Sequence, residues 1–164
     1  MILTAFTSYA DIRAALGVGI AEISDAVISL PLYENGLGAE LDKLSLALET
    51  DFVSTTALAS KTSDQTRFLR AVQLFATYAV ARQLTGSLPL FSAKEIHDGK
   101  ASMIRYSANP YEATVTAVKD GFESYKALAL AAYAAVNQAA ASASSTQRPY
   151  LSVVRASYDP ITGV

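Results

Sequence analysis

Few residues in this sequence are equipped for chemistry, and their spacing limits what they can support. The single histidine, His97, sits in Ile96-His97-Asp98-Gly99. A His-Asp pair is one part of a metal phosphohydrolase site, but such a site needs further ligands, and no second histidine exists here. An ordinary turn histidine is the simpler reading. A Ser-His-Asp triad has no Gly-x-Ser-x-Gly elbow to support it. Gly17-Val18-Gly19 and Gly36-Leu37-Gly38 lack the spacing and the strand–turn–helix setting of phosphate loops. Glu22 and Asp25 stand at helical spacing but among polar neighbours, which reads as a solvated face. Cysteine is absent, which removes disulfides, thiolate catalysis and cysteine-ligated zinc together. No catalytic, cofactor-binding or metal-binding residue is therefore assigned, and the chain is read as non-enzymatic with no cofactor.

A DNA-reading helix-turn-helix is tested by charge. Asp11–Gly17, a turn and Glu22–Leu30 have roughly that shape, but the second helix would carry Glu22 and Asp25 with no Lys or Arg. Acids facing phosphates are electrostatically wrong. The basic residues further on are interspersed with acids and do not support sequence-specific reading.

The elements that would carry a function are helical. The sequence points to Asn109–Ala143 as the element around which the rest is built. Asn109-Pro110-Tyr111-Glu112 is a helix start, with a cap, a proline at the first position and a glutamate placed like a capping box. Tyr111, Val115, Val118, Phe122, Tyr125, Ala129, Ala132 and Val136 then form one apolar stripe. Such a helix would be about 45–50 Å long. Its alanine-rich second half suits close helix–helix contact.

Upstream, Thr7 or Ser8 caps a helix over Tyr9–Leu16 that stops at Gly17. A second short helix is expected from about Ala21 to Ser29, burying Ile23, Val27 and Leu30. A third runs from Pro31 to about Leu48 with the stripe Leu37, Leu41, Leu44, Leu48, where Gly36 and Gly38 mark weak turns, a kink or a close crossing. Glu49–Lys61 reads as a loop or frayed extension. Ser63 or Asp64 caps a fourth helix to Leu84, with Phe68, Val72, Phe75, Ala79 and Val80 inward. Ser92–Ile96 suits a helical turn, Asp98-Gly99 a turn, and Ser102–Tyr106 a short amphipathic piece.

At 164 residues the chain is one domain large enough for a core. No apolar run has the length of a membrane span, and Met1-Ile2-Leu3-Thr4-Ala5-Phe6 has no basic region, so neither membrane insertion nor a signal peptide is expected. Charge is uneven. Residues 1–51 hold eight acids against Arg13 and Lys43, a net of −6, and residues 52–164 hold eleven bases against seven acids, a net of +4. Chance and solvated faces account for such a split; the sharper reading is a chain with an acidic and a basic end, suited to docking copies or partners in a fixed polarity.

After Ser145 the character changes. Thr146–Val164 contains Pro149 and Pro160, and Tyr150-Leu151-Ser152-Val153-Val154 reads as extended, with no other clear strand in the chain to pair with. Such a tail is either disordered or bound to another chain; its aromatic and β-branched content argues against simple disorder and for an interaction arm. Its candidate contact residues are Tyr150, Leu151, Val153, Val154, Arg155, Tyr158 and Ile161.

Thr7-Ser8-Tyr9-Ala10-Asp11-Ile12-Arg13-Ala14-Ala15-Leu16-Gly17-Val18, followed by Ile28-Ser29-Leu30-Pro31-Leu32-Tyr33-Glu34, resembles the start of the head-to-tail adaptor (connector) proteins of tailed bacteriophages. Leu88-Pro89-Leu90-Phe91 with Lys94, then Asp98-Gly99-Lys100 and Arg105, is similar to the same group. So is the layout of short N-terminal helices, two longer ones and an extended tail; the likeness covers about two thirds of the chain. The resemblance implies a structural virion protein in the neck, between the capsid portal and the tail. It implies a homo-oligomeric ring, usually a dodecamer, docked below the portal protein and above a downstream tail or nozzle protein. The C-terminal arm would reach onto the portal, and the lumen would pass the genome during packaging and delivery, touching DNA non-specifically. No catalytic residues come with the family.

The expected fold is thus all-α: a helical bundle over residues 1–145 with one long C-terminal helix, and an extended interaction arm over 146–164. The competing readings are another neck or tail-completion protein, a small helical DNA-binding regulator, or an enzyme. An enzyme should present converging polar groups in a pocket; an adaptor should present complementary side faces.

Overall fold

A computed structural model of the chain describes residues 3–87, 95–98, 101–104 and 112–145, with side chains over 3–86 and 112–141. The fold is an all-α bundle, with seven α-helices among the described residues. They are α1 (Leu3–Phe6), α2 (Tyr9–Leu16), α3 (Asp25–Ile28), α4 (Pro31–Leu44), α5 (Leu48–Thr56), α6 (Ser63–Leu84) and α7 (Glu112–Ser145). A 3-10 turn at Thr85–Ser87 follows α6.

Both ends of α2 fall where the sequence puts them. The Ser8 hydroxyl accepts from the Asp11 N–H at 3.1 Å and opens α2. Gly17, at φ 68°, closes it in the left-handed conformation, and its N–H donates to the Ala14 carbonyl. The start of α6 is one residue earlier than expected. Thr62, not Ser63 or Asp64, is the cap, and it forms a reciprocal capping box with Gln65 at 3.2 and 2.9 Å.

The second helix is shorter than expected, only Asp25–Ile28. The Glu22 carboxylate folds back onto the Gly19 N–H, and Ser24 is extended at φ −73°, ψ 158°, so residues before it form a turn. The shift puts Ile28 inside and leaves Leu30 exposed, against the expectation for Leu30. The third helix ends at Leu44 rather than Leu48. Ser45 adopts an extended conformation, and its hydroxyl accepts from the Ala47 N–H at 3.2 Å, in competition with helix continuation. Leu48 then belongs to a new helix, α5, in the stretch expected to be a loop. Its buried Leu48, Phe52 and Thr55 are spaced at one helical face.

Two short strands, β1 (Glu95–Asp98) and β2 (Ala101–Ile104), pair antiparallel with Ile96 opposite Met103 and Asp98 opposite Ala101. This hairpin replaces the helical turn expected at Ser92–Ile96 and the amphipathic piece expected at Ser102–Tyr106, and shows that the chain does contain strands. Asp98, expected in a turn, is the last residue of β1, and Gly99 lies outside the described residues. Thr146–Val164, including the extended arm, lies outside the described residues, as does the Asn109 cap.

The core is organised around α6, not around the long helix. Ten of the 22 residues of α6 are buried, and α1, α2, α4, α5 and α7 all pack on it. The long helix contributes one stripe, in the register its sequence indicates. Val118, Phe122, Ala129 and Ala132 are buried, with Val115, Tyr125 and Val136 half-buried. From Asn137 to Ala141 it is exposed.

Candidate functional site

The seam between α6 and α7 is where the bundle is tightest. Gly121 on α7 lies against the ring of Tyr78 on α6, which stacks on Tyr125 with centroids 4.8 Å apart. Beside it Phe75 meets Phe122 at 5.4 Å, and the Arg82 guanidinium lies 4.4 Å from the Phe122 centroid. Lys126 reaches the same ring at 6.0 Å. Further along, Phe68 packs on Tyr133 at 5.5 Å, and the Tyr133 hydroxyl donates to Asp51 Oδ2 at 2.6 Å. Tyr133 thereby ties α7 to α5, and its hydroxyl also lies 3.4 Å from Ser45 Oγ at the α4–α5 break.

Two open grooves flank α6. One, of about 670 Å³, lies between α1–α2 and α6 and is rich in hydroxyls. Its polar groups are employed in holding helices. Thr77 donates to the Gln73 carbonyl at 2.9 Å, so in the 2.6 Å contact between Thr7 and Thr77 it is Thr7 that donates. Ser8 is the α2 cap and donates to Asp11 at 2.6 Å. The other, of about 640 Å³, lies along the α6–α7 side. Lys61, Arg67 and Arg70 line it over a floor of Ala71, Leu74 and Leu128.

These positions resolve several of the candidates read from sequence. Glu22 closes a turn on Gly19, and Asp25 pairs with Arg13, so these two carboxylates have structural partners rather than a shared task. Gly36 marks a close crossing, facing the Gln83 side chain of α6, whereas Gly38 faces open space. His97 is placed in β1. Of the basic residues that could meet a polyanion, Arg82 and Lys126 are drawn to Phe122, while Arg67 and Arg70 share a groove. Lys61, from the segment just before α6, joins that groove. Among the described residues no group of three or more His, Asp or Glu is placed to hold a metal ion, and no helix is long and apolar enough to cross a membrane. The arm residues Tyr150, Leu151, Val153, Val154, Arg155, Tyr158 and Ile161 all lie outside the described residues. Comparison with protein-family models, curated proteins and solved structures finds no match to this chain.

Proposed function

We propose that this chain is a structural virion protein, a head-to-tail adaptor that forms a ring below the portal and passes the genome through its lumen. The observation that carries the reading is the mismatch between its two long helices. At 1.5 Å per residue, the 34-residue α7 is about 51 Å long, against about 33 Å for the 22-residue α6 on which it packs. Its end beyond the buried stripe includes the exposed run Asn137–Ala141, and the helix leads on into the arm sequence. A helix that outruns its own bundle and ends in an apolar, aromatic segment is suited to reaching a second protein. The resemblance described from the sequence supplies the class of that protein, a portal ring.

In this reading the bundle is the ring subunit, the arm contacts the portal, and a tail or nozzle protein docks on the opposite face. The subunit reads no DNA sequence; any contact with DNA in the lumen would be non-specific and salt-dependent. The test is a mass determination by light scattering on the full chain, alone and with a purified portal ring from the same genome. A ring-sized assembly, or a monomer captured in many copies by portal, is expected. A stable monomer or dimer indifferent to portal would overturn the reading.

A further inference from the structure

Two surfaces on opposite sides of α6 are complementary in charge and in apolar content. The first is the outer face of α4–α5. Leu46 and Val53 are 83% and 52% exposed there, and Leu32 at the far end of α4 is 70% exposed. Residues 31–56 hold five carboxylates against the single cation Lys43. Asp51 is taken by Tyr133, Glu40 by Lys43, and Glu34 also has a partner, which leaves Asp42 and Glu49, each exposed or half-buried and four residues before Leu46 and Val53 respectively. The second surface is the α6–α7 groove, where Lys61, Arg67 and Arg70 stand over Leu74 and Leu128. Lys61 Nζ already donates to the Leu58 carbonyl at 2.7 Å, which fixes it at the groove's edge.

The two cannot meet within one molecule. Helical residues advance about 100° each around the axis. On α6, Gln83 faces Gly36 of α4, and Phe68 faces Phe52 of α5. The middle of Arg67, Arg70 and Leu74 falls about 180° from Gln83 around the same axis. An acidic apolar face and a basic groove with an apolar floor thus point in opposite directions from one central helix.

We propose that the groove receives the α4–α5 face of a second copy, so that copies join head to tail. Leu46 and Val53 cover Leu74 and Leu128, and Asp42 and Glu49 approach Arg67 and Arg70. A second copy fits better than a nucleic acid, because a phosphate backbone leaves the leucine floor uncovered and the chain as a whole carries a net charge of −2. Contacts between unlike faces propagate, and they close into a ring when the rotation per copy allows it. The inference names the side-to-side contact of the proposed ring, and for closure it rests on that reading.

The absence of cysteine makes the test direct, because introduced thiols are the only ones present. Leu46→Cys and Thr66→Cys place one on each surface, both at exposed positions. With a short bis-maleimide, mixing the two full-length variants should give dimers that neither gives alone, and a chain carrying both should give a ladder of multiples. Arg67→Glu with Arg70→Glu should weaken self-association by on the order of tenfold or more, as like charges across a contact do. Adding Asp42→Arg and Glu49→Arg should restore it. Leu46→Asp should weaken it independently, and circular dichroism should show the native helix content in every variant.

Cross-linking by either single variant as efficient as by the mixture would overturn the proposal, as would no cross-linking in the mixture. Protection of the Thr66→Cys thiol by duplex DNA, without cross-linking, would assign the groove to a polyanion and overturn it as well. Failure of the adaptor reading looks different: copies cross-link as described but portal captures none. Failure of this contact alone leaves portal capturing the Arg67→Glu, Arg70→Glu chain in the same number as the native one.

Discussion

The ring of Tyr78 occupies the space that any side chain at Gly121 would need. A Cβ built there falls far inside contact distance of Cδ1 and Cε1 of that ring. The glycine is thus a condition of how closely α6 and α7 approach, and the ring cannot swing away freely because it stacks on Tyr125.

Gly121→Ala should therefore destabilise the bundle by about 1–3 kcal/mol from overpacking, offset in part by about 1 kcal/mol of helix propensity. Gly38→Ala is the control. It sits in α4 with nothing within 4 Å of its built Cβ, so only the propensity gain applies and the melting temperature should rise. Thermal unfolding of both variants checks the pair. Equal shifts would mean that the Tyr78 contact exerts no pressure on the seam.

The bond between Tyr133 and Asp51 joins residues 82 apart in sequence and should be measurable by deletion. Tyr133→Phe keeps the ring on Phe68 and removes only the hydroxyl. The expected cost is about 1.5 kcal/mol, the lower end for a hydrogen bond to a charged group, since Asp51 is half-buried. In a double-mutant cycle with Asp51→Asn the two changes should be less than additive. Full additivity would show that the two groups do not interact in solution.

At the start of α6, Thr62→Ala removes the hydroxyl that accepts from the Gln65 N–H, leaves the backbone half of the capping box in place and should cost about 1 kcal/mol, while Ser63→Ala should be near neutral. Denaturant midpoints of the two variants decide between them. A larger loss at Ser63 would return the cap to the position that the sequence alone favours.

These cases show which parts of the fold are legible in the sequence and which are not. Ser8, Gly17 and the stripes of α6 and α7 are legible because each acts within a few residues of itself. The break at Ser45 is not, because Leu37, Leu41, Leu44 and Leu48 keep helical spacing straight through it. The helix stops where Ser45 turns extended and its hydroxyl accepts from the Ala47 N–H, and Leu48 becomes the first residue of the next one. The strands around Asp98-Gly99 escape notice for a related reason. Four-residue segments such as Glu95–Asp98, with Ile96 as their one aliphatic residue, are too short for periodicity to separate strand from helix. The central role of α6 depends on what packs against it, and length alone favoured α7. The basic groove assembles Lys61, Arg67 and Arg70 with Leu128 from a distant helix, so no window of sequence contains it.

Ala132 tests whether the small residues of α7 serve this bundle or a neighbour. It is buried among the core residues, whereas Ala140 on the same helix is exposed. Ala132→Leu should lower stability by about 1–3 kcal/mol, and Ala140→Leu should leave the melting temperature unchanged. If Ala140→Leu instead impairs assembly while leaving the isolated chain's stability intact, the outer part of α7 contacts another subunit. Unchanged melting and assembly for Ala132→Leu would mean that this site has room to spare.

Removal of Thr146–Val164 separates folding from docking. Among the described residues the buried core lies between Leu3 and Ala132, so the truncated chain should keep its helical circular dichroism and its cooperative unfolding. The arm carries the apolar and aromatic residues proposed to meet the portal, so the same truncation should abolish capture by a portal ring. Loss of helical signal on truncation would make the segment part of the fold and sink its assignment as an arm. Intact capture would move the portal contact onto the bundle itself. Point changes sharpen the distinction: Tyr150→Ala and Val153→Asp should reduce capture while leaving the melting temperature of the bundle in place, because an interaction arm contributes to the complex and not to the free subunit.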